Sequence, residues 1–273
     1  MNFCFFWKFL FTTAKKCDII FLKKFLKGIF IMKICVCKDY KEMSKVAADI
    51  VADVVTNKPS CVLGLATGDT PKGMYKVLIE KYAAGELDFS GVKSVNLDEY
   101  YPITPDNDQS YRYFMNNEFF NHVNIDLKNT VVPDGTAKDP DESCRAYEAH
   151  LDALGGTDIQ VLGIGRNGHI GFNEPADELC LDTHLTELTA DTIEANSRFF
   201  ENVEDVPRHA MTMGIGSIFK AKKVIVLASG EGKAEAIRAT ICGGINLHVP
   251  ASLLKLHPDV TVICDAAAYS LVK

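Results

Sequence analysis

The run Gly163-Ile164-Gly165-Arg166-Asn167-Gly168-His169-Ile170-Gly171-Phe172-Asn173-Glu174-Pro175 gathers groups that can move protons. Its four glycines let a loop fold back over a ligand. Histidine is the side chain suited to shuttling protons at neutral pH, which gives His169 that role. Asn167 and Glu174 are close enough in sequence to orient it. A second set is Asn96-Leu97-Asp98-Glu99-Tyr100. Adjacent residues of an extended chain face opposite ways. One acid can therefore point into a cleft as a base while the other takes a structural hydrogen bond. A carboxylate base works near neutral pH only where a dry site raises its basicity. A solvated turn is the plainer alternative.

The third set is Leu65-Ala66-Thr67-Gly68-Asp69-Thr70-Pro71. Gly68 permits close backbone approach. Thr70 suits a helix N-cap and Pro71 the first helical position. Such a turn offers N–H groups and a positive dipole end to an anion such as phosphate. Asp69 is awkward there, and its side chain is expected to point away. Arg198, in Asn196-Ser197-Arg198-Phe199, and Lys233, in Ser229-Gly230-Glu231-Gly232-Lys233, can complete a phosphate clamp with Thr67, Gly68 and Thr70. The alternative for each is an ordinary surface charge.

Other chemistries lack their signatures. No G-K-S/T follows the Gly68 turn, so it is not a Walker A loop. The G-x-G at Gly163 lacks the third glycine of a dinucleotide fingerprint. H-E-x-x-H is absent, which leaves His169 and His184 a poor zinc pair. The nine cysteines are scattered without a CxxC pair, so they read as buried free thiols of a reducing cytosol. Cys35 and Cys37 should share one face of a strand.

Positioning these groups falls to an alternation of strands and helices. Strands are expected at Lys33–Cys37, Cys61–Leu65, Val92–Leu97, Ile159–Ile164, Lys223–Ala228 and Val260–Cys264. Helical periodicity marks Tyr40–Thr56, Pro71–Ala84, Tyr111–His122, Cys144–Leu154, part of Val206–Phe219, and Glu231–Cys242. The stripe Val46, Ala47, Ile50, Val51, Val54 and Val55 gives the first helix its apolar face. Near-continuous apolar strands between helices imply a doubly wound, mostly parallel sheet covered on both faces. Ligands of such sheets sit beyond the carboxyl ends of the strands.

The 273 residues, 47% of them hydrophobic, suffice for one sizeable core. A net charge of −7 argues against general nucleic-acid binding. An anionic small-molecule substrate would need a local cationic cluster. Residues 1–31 differ from the rest. Six lysines against one acid give them a local charge of +5, leaving −12 for residues 32–273. Their apolar stretches never reach the ~20 residues of a membrane span. The sharp change before Met32 points to Met32 as the true start, with 32–273 as a single catalytic α/β domain. A signal or anchor segment, and a basic helix lying on an anionic membrane, are the alternatives.

Taken together, the segments L-G-L-A-T-G-D-T-P, L-D-E-Y, G-I-G-R-N-G-H-I-G-F-N-E-P, A-N-S-R-F-F and G-x-x-K-A resemble the glucosamine-6-phosphate deaminase family, in the family's order and over essentially Met32 to Lys273. The resemblance implies a Rossmann-like fold with a mobile lid near residues 180–210. It implies conversion of glucosamine 6-phosphate and water to fructose 6-phosphate and ammonia, in amino-sugar catabolism during N-acetylglucosamine degradation. Asp98 would be the base moving a proton between C2 and C1. His169 would open the sugar ring, with Asn167 and Glu174 completing its relay. Thr67, Gly68, Thr70, Arg198 and Lys233 would hold the 6-phosphate. No cofactor and no metal are implied; the enzyme would be cytoplasmic, a monomer or homo-oligomer, with no nucleic-acid or membrane partner.

Three departures matter. Asn167 stands where many relatives carry Asp, so Glu174 should bear more of the charge on His169. Asp69 replaces a small residue. His184 and Thr186 stand at the basic lid positions of members activated by an N-acetylated sugar phosphate, and the chain ends soon after Tyr269, so no such activation is expected. The alternatives are a galactosamine-6-phosphate isomerase, a 6-phosphogluconolactonase-like hydrolase that needs no carbon base, and a non-catalytic sugar-phosphate sensor.

Overall fold

The computed structural model describes residues 18–20, 32–198 and 200–272. Its main sheet has eight strands. In chain order they are β1 (Asp18–Ile20), β2 (Lys33–Cys37), β3 (Val62–Leu65), β4 (Lys93–Asn96), β6 (Thr130–Val131), β7 (Ile159–Leu162), β10 (Val224–Ala228) and β11 (Val260–Asp265). Their spatial order is β1-β2-β11-β10-β7-β3-β4-β6, all parallel except the antiparallel edge pair β1–β2. Every residue of β3, β7 and β10 is buried. Successive side chains point to opposite faces, so both faces of these central strands are covered.

The chain runs outward from β3 through β4 to β6. From β7 it runs the other way, through β10 to β11. The order therefore reverses between β3 and β7, and a ligand crevice belongs at such a switch point.

Among the described residues seven α-helices separate the strands: α1 (Tyr40–Asn57), α2 (Asp69–Ala83), α3 (Tyr111–Glu118), α4 (Pro140–Leu154), α5 (Ala190–Ser197), α6 (Ile215–Phe219) and α7 (Ala234–Cys242). Asp39 caps α1 by accepting from Glu42 N–H, and Glu42 returns a bond to Lys38 N–H. Of the expected stripe, Ala47, Val51 and Val55 are fully buried, joined by Met43 and Ala48. The fourth helix starts at Pro140, before the expected Cys144, because Asp139 caps it and proline suits its first turn. The Phe-rich helix stops at Glu118 and gives way to a 3-10 turn at Phe120–His122.

A second, antiparallel sheet is not foreshadowed by the periodicity. It contains β5 (Asp98–Tyr101), β9 (His209–Thr212) and β8 (His184–Glu187), in that order. Of Val206–Phe219, expected to be helical in part, α6 is the helical part and β9 is strand. Tyr100, Ile103, Phe172, Leu188, Ile193, Val206 and Ala210 make its separate apolar cluster, with Tyr111 and Phe200 packed on it. The lid segment expected near 180–210 is β8, α5 and β9 of this unit.

Gly64 and Gln160 lock β3 to β7. A Cβ on Gly64 would overlap the Gln160 side-chain amide, and Gln160 is itself buried in the sheet. Gly64→Ala is expected to destabilise the fold by roughly 1–3 kcal/mol, as overpacking does, and to lower the thermal midpoint by several degrees. An unchanged midpoint in calorimetry would mean that Gln160 yields without cost.

Candidate active site

The four polar motifs follow four neighbouring strands, β10, β7, β3 and β4. Their loops therefore open at one end of the sheet. The structure brings the sequence-expected residues to this place from separate stretches of chain.

Asp98 begins β5, directly after Leu97. Leu97 donates its N–H to Leu65 in the parallel sheet and accepts from Met213 N–H beside the second sheet. Asp98 thus stands where the chain passes from one sheet to the other. It is 7% exposed, and none of the described residues donates a hydrogen bond to its carboxylate. Burial pushes its carboxyl up to about 8, with the charge of Glu99 adding to the effect.

Glu99 faces the other way, as alternation requires. Its carboxylate accepts from the backbone N–H groups of Tyr100, Tyr111 and Arg112 and so ties β5 to the start of α3. Burial raises its carboxyl as well, to about 7, against the pull of those three donors and of Arg112. With donors around it, Glu99 is the member of the pair that ionises first.

The histidine loop follows β7. Gly165 donates its N–H to His169 O, and the imidazole lies against Gly165 so closely that a Cβ there would overlap the ring. His169 Nδ1 is buried and lies 3.0 Å from Glu174 Oε1, a close contact without the alignment of a full hydrogen bond. Nε2 is the ring nitrogen left for a ligand. Asn167 accepts from His169 N–H (3.1 Å) and donates to Glu174 Oε2 (2.7 Å). It holds the carboxylate rather than the ring, so Glu174 is the carboxylate that faces the imidazole. Burial, the largest influence on Glu174, favours its neutral form. His169, Thr192 and Asn167 outweigh it and hold the carboxyl at about 2.

Two residues past the imidazole, Gly171 has φ +59°, and a Cβ there would lie 3.6 Å from Asp98 Oδ2. The histidine loop therefore passes directly beside the Asp98 carboxylate. Thr212, paired with Asp98 across β9, accepts from Phe172 N–H and fixes that approach.

On the anion side, α2 begins two residues earlier than Thr70 and Pro71 suggest. Gly68 occupies the cap position with φ +89° and no side-chain cap bond, and Asp69 is the first helical residue. Nothing stands within 4 Å of the place a Gly68 side chain would take, so the turn is open above its backbone. Asp69 does not point away from the cations. Its Oδ2 lies 3.1 Å from Nη2 of Arg198, the residue that closes α5. Arg198 thereby reaches the Gly68 turn. Lys233 feels the charges of Arg166 and Arg198, which together with burial, the larger cause, lower its ammonium.

Two contributors escape sequence reading. Arg166 lies beside Gly232 and adds a third cation near Lys233. Its position inside the histidine motif was the available signal. Thr192 of α5 donates to Glu174 Oε1 at 2.5 Å, linking the lid to the imidazole relay. It reads from sequence only as part of a helix start. His184, the other member of the zinc alternative, has its Nδ1 2.9 Å from Asp182 O. Among the described residues no His/Cys/Asp/Glu cluster is arranged to hold a metal.

The family model described as glucosamine-6-phosphate isomerases/6-phosphogluconolactonase matches residues 40–263. The chain belongs to this family. Among its relatives, the glucosamine-6-phosphate deaminase of Clostridium perfringens (strain ATCC 13124) is 56% identical over 242 residues, covering 89% of this chain and 100% of the relative. That of Thermoanaerobacter pseudethanolicus is 56% identical over 241 residues, covering 88% and 95%. A solved monomeric glucosamine-6-phosphate deaminase superposes with a TM-score of 0.86 at 47% identity, covering 88% of this chain and 100% of that one. The 6-phosphogluconolactonase of Trypanosoma brucei shares the fold, with a TM-score of 0.72 at 16% identity, covering 89% and 100%.

The two carboxyls give opposite linkage to pH. Asp98 keeps a proton in the folded state that the unfolded chain releases from about pH 4. Its contribution is therefore full in acid and lost as pH rises to about 8. Asp98→Asn should raise the thermal midpoint at pH 8 by roughly 3–6 °C and far less at pH 4. An equal gain at both would contradict the raised carboxyl. Glu174 contributes above its ordinary range and loses that contribution as pH falls to about 2. Glu174→Gln should accordingly destabilise at pH 7 by roughly 1–3 kcal/mol, with the deficit closing in acid denaturation series.

Proposed function

We propose that this chain converts glucosamine 6-phosphate and water to fructose 6-phosphate and ammonia. The observation that carries this reading is the pairing of Asp98, a buried carboxyl of raised basicity, with the His169 loop that runs against it at Gly171. A lactone hydrolase has no use for such a carbon base. A sensor has no use for either group.

The residues suit each step. His169, oriented by Glu174, takes the proton from O1 of the pyranose and returns one to O5, which opens the ring to the aldehyde. Asp98 then removes the proton from C2. The electron pair forms the C1–C2 double bond, and the aldehyde oxygen takes a proton to give an enolamine. Asp98 delivers its proton to C1, leaving C1 as a hydroxymethyl group and C2 as an iminium. Water adds to C2, and collapse of the adduct expels ammonia and leaves the ketone. The electron count is unchanged throughout, so no redox partner enters.

The 6-phosphate is assigned to the backbone of the Gly68 turn with Thr67 and Thr70, and to Arg198 and Lys233. Binding at that remote end supplies orientation at the reacting carbons. Arg198 and Thr192 both belong to the lid segment, so phosphate capture and the His169 relay share one moving element. A phosphorylated amino sugar is thereby preferred over a neutral one.

We place the reaction in amino-sugar catabolism, as part of N-acetylglucosamine degradation, in the cytoplasm. Cys61, Cys144, Cys180, Cys242 and Cys264 are free thiols, which suits a reducing compartment. No helix among the described residues is long and apolar enough to cross a membrane. Residues 32–273 are read as the catalytic unit. His184 and Thr186 stand at positions that offer no strong cation to an activator, so kinetics are expected to be hyperbolic with or without N-acetylglucosamine 6-phosphate.

The test is to incubate the protein with glucosamine 6-phosphate and measure ammonia and fructose 6-phosphate together. Equal yields of both are expected. Binding without turnover, or hydrolysis of 6-phosphogluconolactone instead, would replace the reading with a sensor or a lactonase. In the same assay kcat/KM should rise with pH through about 8, as Asp98 ionises in the free enzyme. Asp98→Asn should lose that limb and about 10²–10⁴ of the rate. It should also stop exchange of the C2 proton with solvent, and retained exchange would remove Asp98 from its role.

A further inference from the structure

Asp69 is a carboxylate set among the groups assigned above to the phosphate. It occupies the first turn of α2, where the positive end of the helix favours an anion. Its Oδ2 contacts Arg198 Nη2 at 3.1 Å, and its Oδ1 lies 3.4 Å from Lys72 Nζ. Lys72 is shared with Glu118, also at 3.4 Å. The Arg198 contact joins residues 129 apart in sequence, one on the phosphate turn and one ending the lid helix. A helix N-terminus and a guanidinium are the partners a phosphate takes. Asp69 presents a carboxylate to both.

The pair is also easily exchanged. The Asp69 side chain is 53% exposed and that of Arg198 65%. Exposed ion pairs of this kind are weak and screened by salt. A phosphate dianion carries twice the charge of the carboxylate and more acceptor oxygens. It can therefore take Arg198 from Asp69, whereas a neutral or singly charged end group cannot do so as readily.

We infer that Asp69 is an internal competitor for the phosphate subsite. It is a positioning residue that holds Arg198 over the Gly68 turn when the site is empty and yields it to the phosphate dianion. This rests on the phosphate placement proposed above. Asp69 thereby trades affinity for selectivity: every ligand must displace a carboxylate, and the dianion does so best.

The test uses the full-length protein, with inorganic phosphate as the probe and glucosamine 6-phosphate as substrate. Asp69→Asn keeps the shape and removes the charge. It should tighten phosphate inhibition and lower KM by about two- to fivefold, the range of one exposed ion pair, while kcat moves less than KM. Asp69→Glu, which restores the charge, should return both towards the wild type. In an Arg198→Met background the effect of Asp69→Asn should shrink towards unity, as a double-mutant cycle requires of residues that act through one another. If Asp69→Asn misfolds, Asp69→Ser gives the same comparison with a smaller side chain. An unchanged or weakened phosphate inhibition constant in a folded variant overturns the inference while leaving the function reading intact. Wild-type protein that neither binds phosphate nor turns over the sugar phosphate overturns the function reading, and the inference with it.

Discussion

A buried carboxyl group, with no hydrogen-bond donor among the described residues, is the constraint around which this molecule is arranged. Asp98 directly follows the single-residue junction between a parallel sheet and an antiparallel one, Leu97, which is bonded to both sides. Such a position excludes water from most of the side chain. It also leaves the neighbouring Glu99 to absorb the local donors from Tyr100, Tyr111 and Arg112. Adjacent residues of one strand thus have opposed duties because they face opposite sides. Glu99 anchors α3, and Asp98 is kept poorly solvated and basic.

The second carboxylate of the site has the contrary environment. Glu174 is also largely buried, but an amide, a hydroxyl and an imidazole surround it, and it remains ionised far into acid. Two acids of similar intrinsic strength are thereby driven apart, one towards accepting a proton and the other towards holding the His169 ring in place. The second sheet serves both. Through Thr212 it fixes the histidine loop against Asp98, and through Thr192 on the connecting helix it reaches Glu174. Arg198, at the end of that same helix, extends the link to the Gly68 turn.

Much of this was legible in the sequence. Apolar runs such as Val62–Leu65 and Val224–Ala228 are buried on both faces, and that alone marks a parallel sheet. Because their strands are neighbours, the Gly68, Asp98, His169 and Lys233 motifs had to meet at one edge. The lid was not legible as strands. β8 and β9 are four residues each and carry His, Thr and Glu, too short and too polar for alternation to register. β5 follows β4 after one residue, so it reads as the end of the preceding strand. The Thr70-Pro71 pair puts the start of α2 two residues late, because Gly68 caps by backbone conformation alone, a weaker signal in sequence. The orientation of Asp69 is not legible in the sequence, because its partner is 129 residues away, beyond any local pattern. The reading of Met32 as the start concerns residues 1–31, of which only Asp18–Ile20 are described, paired to β2.

The most direct measurement is an NMR titration of the Asp98 side-chain carboxyl carbon in the unliganded protein, assigned by its disappearance in the Asn variant. A midpoint near 8 is what burial at the sheet junction requires. A midpoint in the ordinary range near 4 would mean that water or a donor reaches the group, and Asp98 would then lack the basicity on which the proposed chemistry depends.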